Sequence, residues 1–295
     1  MSIVVTTPTG NIGRVVTDQL LEKGEQVTII ARDPDKVADF ARRGAKVVKG
    51  SHSDARLLIE ATKGAEALFV LTPPDVSCTD IRAHYEKFAN AAAEAIKVNE
   101  IPYVVHLSSV GADVDHDNGP VLGLYYAEKI LEKAAKNITQ LRPGYFMENT
   151  LGQVKSVKDE GHMYTSMAGD LPIPMVATRD IGLRAAELLT ARTWRGCQVV
   201  ELQGPQPTSY NQVASAVAEL LGKEVRHITV SGDQLESALQ GMGFSAAMAH
   251  SFVDLSHGME KGVVKFHQKK SDSTVSKTSY PEFAESVFRR VYESA

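Results

Sequence analysis

Residues 3–14 read Ile-Val-Val-Thr-Thr-Pro-Thr-Gly-Asn-Ile-Gly-Arg, followed by Val15, Val16, Leu20 and Leu21 at helical spacing. No other stretch restricts the fold as much. An apolar β-branched strand must stop at a small turn and re-emerge as a helix whose N-terminus faces the turn. That geometry holds a dinucleotide pyrophosphate: backbone amides donate to phosphate oxygens and the helix dipole favours negative charge. The three positions where such turns use glycine are here Thr7, Gly10 and Gly13. Gly10 allows close approach of the pyrophosphate and Gly13 close packing of helix on strand, whereas Thr7 requires a turn that tolerates a Cβ. Thr7, Thr9, Gly10, Asn11, Ile12 and Gly13 are therefore the first cofactor-binding candidates.

The next strand, 26–31, ends at Arg32. An Asp or Glu here would bond a ribose 2′-hydroxyl, whereas an Arg suits a 2′-phosphate, so the expected cofactor is NADP(H) in preference to NAD(H). Lys36 and Arg14 add positive charge nearby. Asp33 reads as a helix cap before Pro34, with Gly44 closing that helix.

The chain continues as a β-α alternation. Strands are expected near 2–6, 26–31, 45–49, 66–72, 102–107 and 138–142, and helices near 11–23, 34–43, 54–62, 80–99 and 121–136. The implied fold class is α/β, a doubly wound parallel Rossmann sheet whose ligand crevice lies at the strands' C-terminal ends. Residues placed there are the 7–13 turn, Arg32, Thr72-Pro73-Pro74, Ser108-Ser109 and Pro143-Gly144-Tyr145. A helix near 179–192, with Asp180 as its cap, and a strand near 197–203 return to this sheet. Capping spacings at Ser209, Ser231 and Ser279 start later helices, 244–261 is helical, and 267–279 reads as an exposed polar loop. Residues 1–145 form the dinucleotide-binding domain, with 178–204 returning to it. Residues 146–177 and 205–295 form a smaller, mainly helical lobe for substrate or partner.

Composition excludes several classes. A net charge of −4 over 295 residues leaves no nucleic-acid footprint and no basic membrane patch. No stretch approaches the ~20 apolar residues of a membrane span, and no basic-apolar leader precedes the first strand. Cys78 and Cys197 lack paired spacing and read as reduced thiols in a cytoplasmic protein. The nine histidines show no ligand spacing, and Asp115-His116-Asp117 reads as a solvated loop, so no metal is expected.

The 7–13 turn, Arg32, Leu141-Arg142-Pro143-Gly144-Tyr145-Phe146-Met147-Glu148-Asn149 and Thr178-Arg179-Asp180-Ile181-Gly182 together resemble the NmrA-like family, atypical relatives of short-chain dehydrogenase/reductases. The resemblance spans nearly the whole chain. It implies a Rossmann fold and NADP(H). For activity it implies either NADPH-dependent reduction of quinones, azo dyes or triphenylmethane dyes, or redox sensing through a partner protein without turnover.

Two chemistries follow. Standard short-chain dehydrogenases place a Tyr and a Lys four residues later on one helix face, where the ammonium lowers the Tyr pKa and holds the ribose, with a Ser ending strand five. Tyr125, Lys129 and Ser109 offer that set, although the NmrA-like group does not generally keep the Tyr/Lys pair. The alternative needs no strong acid: a flat, apolar aromatic acceptor held against the nicotinamide in a water-poor pocket. Tyr125, Tyr145, Phe146, Met147, Met175, Phe244 and Met248 are the candidate walls, since Met adapts to irregular ligands. Thr72, Pro73, Ser108, Lys129, Pro143 and Tyr145 complete the cofactor candidates. A sugar-nucleotide epimerase fits less well, because it would need a firm Tyr/Lys/Ser triad and a polar lobe.

Overall fold

A computed structural model describes residues 2–295. The first half alternates as read: β1 (Ser2–Val5), α1 (Asn11–Glu22), β2 (Gln26–Ala31), a 3-10 turn leading into α2 (Ala38–Arg42), β3 (Lys46–Lys49), α3 (Ala55–Ala61), β4 (Ala65–Val70), α4 (Ile81–Val98), β5 (Tyr103–Leu107), α5 (Leu122–Glu132) and β6 (Asn137–Pro143). Then come β7 (Tyr145–Phe146), α6 (Val154–Glu160), β8 (His162–Thr165), β9 (Met175–Val176), α7 (Thr178–Ala191) and β10 (Gly196–Leu202). The remainder is α8 (Tyr210–Leu221), β11 (Arg226–Thr229), α9 (Gly232–Gly241), α10 (Ala246–Glu260) and a final helical stretch from Tyr280. Among the described residues no helix is long and apolar enough to cross a membrane.

Seven strands form one parallel sheet in the order β10-β6-β5-β4-β1-β2-β3. Both faces are covered, as an all-parallel sheet requires. The alternation of Cβ directions sends Ile3 and Val5 to a core with Val16, Leu20 and Leu188, and Val4 to the opposite core with Leu68, Ala92 and Leu131. The order reverses between β1 and β4, which opens the crevice above their C-terminal ends.

A third core forms the lobe. Met147, Met163, Met167 and Met175 pack there with Tyr210, Phe283 and Phe288. Two small parallel pairs, β8 with β11 and β7 with β9, brace it.

The polar 267–279 segment is more than an exposed loop. The Gln268 side chain accepts from Glu201 N at 3.0 Å and donates to the Val199 carbonyl at 2.8 Å. Gln203 N donates to Thr274 O at 2.9 Å, and Ser276 N to Gln203 O at 2.7 Å. Thr274 and Ser276 are buried. The segment satisfies the outer edge of β10, which would otherwise present unpaired amides.

Candidate active site

A crevice of about 570 Å³ opens at the switch point. Its floor is the β1–α1 turn, with Thr7, Thr9, Gly10, Asn11 and Ile12 in the lining. Thr7 stands in the left-handed region at φ 52°, so the turn tolerates the Cβ by adopting a conformation that a β-branched residue rarely takes. Gly13 lies behind the lining, where an added Cβ would fall 2.1 Å from the Thr7 carbonyl oxygen. Only glycine lets the helix sit this close to the turn. Gly10 is different. It is the N-cap of α1 and supplies no side-chain cap, and an added Cβ would meet only Thr7 O at 3.7 Å. The fold leaves room at Gly10, and any need for glycine there comes from the crevice side. The uncapped first turn of α1 suits a pyrophosphate.

These two glycines give a separable expectation. Gly10→Ala should melt within about 2 °C of the parent. It should bind NADPH at least about tenfold more weakly, the cost of an extra methyl against a close-fitting ligand. Titration beside a thermal melt checks this, and an unchanged affinity would mean the dinucleotide does not cross Gly10.

Arg32 directly follows β2, lies in the lining and is exposed. Asp33 caps the following turn by accepting from Asp35 N, with Pro34 first in the turn. Arg14 is engaged elsewhere: it pairs with Asp39 at 3.0 Å and lies 4.9 Å over the Phe40 ring. Lys36 is exposed and outside the lining.

The far wall consists of Thr72, Pro73 and Pro74 after β4, Ser108 and Ser109 after β5, and Pro120, Val121 and Leu124 leading into α5. Phe146 and Asn149 close it from the lobe side. Glu148 also reaches the lining, where its carboxylate accepts from Thr178 N at 3.0 Å and Thr178 Oγ1 at 2.5 Å. It thereby caps α7 from a distant segment, and burial pushes its carboxyl pKa up. Asp180 is therefore not the cap; its carboxylate accepts from Thr278 N and Oγ1 instead.

The structure does not bring the Tyr125/Lys129 pair to the crevice. Neither residue is in its lining. Helix α5 buries Gly123, Ala127, Glu128 and Leu131 and turns Leu124 to the crevice, beside Val121 from the turn that precedes it. Lys129 is left exposed, its ammonium 4.4 Å from the Tyr125 ring centroid. Of the three residues expected to carry proton chemistry, only Ser109 lines the crevice.

The methionine-rich wall is corrected too. Met147 and Met175 belong to the lobe core and are 1% and 0% exposed. Met248 is buried, and Phe244 stacks edge-on against Phe252 at 5.7 Å. Tyr145 is packed over this core with its hydroxyl 3.0 Å from that of Tyr210, and Pro143 is buried in β6. None of these six lines the crevice, whereas Phe146 does. A small lobe needs its large apolar side chains for its own core, and periodicity does not separate that use from a pocket wall.

Sequence reasoning missed His52, Tyr85 and Phe88, all in the lining. His52 follows β3, and the rule that picks residues at strand C-termini would have found it. It donates from Nε2 to the Leu71 carbonyl at 3.0 Å and its ring lies 4.7 Å from Phe88. Burial, helped by the Arg32 charge, pushes its pKa down to about 4. Tyr85 is 7% exposed, and burial pushes its phenol up to about 12. Tyr85 and Phe88 lie on the apolar face of α4, where sequence cannot tell lining from core.

Behind Ser109 stands a buried polar network. Ser108 Oγ donates to Glu128 Oε1 at 2.5 Å. Arg142 meets the same carboxylate bidentately, Nε–Oε1 at 2.9 Å and Nη2–Oε2 at 2.6 Å. Asp113 lies 3.6 Å from Arg142 Nη1 and accepts from His267 at 3.0 Å, tying in the strap over β10. Among the described residues no cluster of His, Cys, Asp and Glu could hold a metal ion.

The model of the NmrA-like family matches residues 1–285. An NAD(P)H azoreductase of Xenophilus azovorans is 27% identical over 256 residues, covering 86% of this chain and 85% of that protein. Quinone oxidoreductase 2 of Escherichia coli is 28% identical over 266 residues, covering 88% of each. Among solved structures, the E. coli NADPH-dependent quinone oxidoreductase superposes with a TM-score of 0.79 at 23% identity, covering 98% of this chain and all of that one. The triphenylmethane reductase of Citrobacter complexed with NADP(H) gives 0.76 at 20% identity, with full coverage of both chains.

Proposed function

The chain belongs to the NmrA-like family, and from that premise we propose that it is an NADPH-dependent oxidoreductase that passes a hydride to a flat, apolar electrophile, a quinone or azo compound. The observation that carries this reading is the composition of one continuous crevice. A glycine-bearing helix N-terminus and Arg32 lie at one end, and Phe146, Pro120, Val121 and Leu124 line the other. The names of the relatives support the same class of reaction.

NADPH, when bound, supplies the hydride. The chain's residues do the rest. The α1 N-terminus and the 7–13 turn hold the pyrophosphate, and Arg32 takes the 2′-phosphate by charge-assisted bonds. The apolar wall excludes water and holds the acceptor flat, so that positioning carries much of the rate. Ser109 Oγ and water entering the open crevice are the proton sources within reach of the lining. The other titratable groups of the lining are engaged: His52 is neutral near pH 7, Tyr85 keeps its proton, and the Glu148 carboxylate accepts from Thr178.

Loss of reduced-nicotinamide absorbance with a quinone, azo and carbonyl panel tests the proposal. Turnover is expected with quinone or azo acceptors and to survive Tyr125→Phe and Lys129→Ala. Arg32→Ala should weaken NADPH binding by roughly 10- to 100-fold, the value of a lost charge-assisted contact, and leave NADH within about threefold. Tight NADPH binding with no turnover on any acceptor would replace this reading with a redox sensor.

A further inference from the structure

His52 presents an unused hydrogen-bond acceptor to the crevice. Its Nε2 faces the Leu71 carbonyl, and a carbonyl only accepts, so Nε2 carries the proton and Nδ1 a bare lone pair. Nδ1 has no partner among the described residues. It is not sealed away either, unlike His106 Nε2, which is enclosed and unpartnered. The residue is 6% exposed, and what remains open is crevice lining. Phe88 packs on the ring, and Ile30 and Leu71 line the same region. Because burial holds the imidazole neutral down to about pH 4, Nδ1 remains an acceptor throughout the physiological range.

One fixed acceptor set among aromatic and apolar walls complements a flat heteroaromatic ring with an exocyclic N–H. The Arg32 charge acts on His52, so both sit at the same end of the crevice. If Arg32 takes the 2′-phosphate, that end receives the purine. We propose that His52 Nδ1 accepts a hydrogen bond from the 6-amino group of adenine and so selects a 6-amino over a 6-oxo purine. This rests on the NADPH reading above. A 6-oxo base would turn an oxygen lone pair toward Nδ1, leaving two acceptors face to face and unsatisfied.

The test compares dissociation constants for NADPH and reduced nicotinamide hypoxanthine dinucleotide phosphate by fluorescence titration. Wild type should prefer the amino form at least about tenfold. In His52→Phe the ratio should collapse to within about twofold of unity, with melting curves showing that the variant is folded. Independently, ring ¹⁵N spectra of wild type should show the Nε2-protonated tautomer, with the Nδ1 resonance shifting on adding NADPH but not the 6-oxo analogue. That readout stands even if His52→Phe fails to fold. Equal affinities in wild type, a preference surviving His52→Phe, or an Nδ1 resonance indifferent to NADPH would overturn the assignment. If wild type bound neither dinucleotide, the NADPH reading itself would fail and this inference with it.

Discussion

Replacing Arg142 with alanine is expected to cost about 3–5 kcal/mol of stability, the usual penalty for orphaning one partner of a buried ion pair. Arg142 and Glu128 are 9% and 4% exposed and meet bidentately. Glu128 has no escape to water. Burial already drives its carboxyl pKa upward against the pull of Arg142 and Ser108. Without the guanidinium the carboxyl would take up a proton, and Asp113 would lose a neighbouring charge. The double variant Arg142→Met with Glu128→Met should recover most of the loss, because it removes the stranded charge as well as the pair. Urea unfolding of the three proteins decides it. A cost below about 1 kcal/mol for Arg142→Ala would show that the pair is screened like a surface one.

Acidification from pH 7 to pH 5 is expected to remove about 4 kcal/mol of unfolding free energy through two histidines, about 2 kcal/mol each. His106 is 0% exposed, donates from Nδ1 to Gln140 Oε1 at 2.7 Å, and is pushed by burial to about 4. His52 is shifted as far for the same reason. Their ordinary value is 6.5. The unfolded chain therefore binds protons first as the pH falls, and stability present above 6.5 is lost progressively down to 4. Glu128 and Glu148, shifted upward by burial, act in the opposite direction. The comparison of wild type with His106→Leu cancels them: over this range the variant should lose about 2 kcal/mol less than wild type. Parallel profiles for the two would show that His106 is protonated in the folded protein.

What was legible follows from local physics. Strands buried on both faces read as short apolar runs, so β1, β2, β4 and β5 stand out, β3, β6 and β10 are legible from their place in the β-α alternation, and the turn after β1 is legible because glycine is required where backbone approaches backbone. The short pairs β7–β9 and β8–β11 leave no periodic trace: two to four residues are too few. The Met and aromatic residues of the lobe could not be divided between core and wall, since both uses ask for the same chemistry. The Tyr125/Lys129 spacing does put both on one helix face, but which face meets the crevice is set by packing of Gly123 and Ala127 against the sheet and α4. Arg142 in a strand buried along its whole length is a signal that a buried charge needs a partner. That partner, Glu128, lies on another element, and nothing local points to it.

The place of β10 in the sheet bears on how the protein is made. Gly196 follows Pro143 by 53 residues, yet the two strands lie side by side. At about 5–20 residues per second, roughly 3–10 s separate their synthesis. Throughout that interval β6, every residue of which is buried in the finished protein, lines an unfinished sheet edge on the nascent chain. An edge of unpaired backbone amides and carbonyls pairs readily with other chains. The strap that covers β10, residues 267–279, comes later still. Chains halted or cleaved between these points keep the nucleotide-binding motif but not a closed sheet, so the cell would inherit an aggregating fragment instead of a smaller working enzyme.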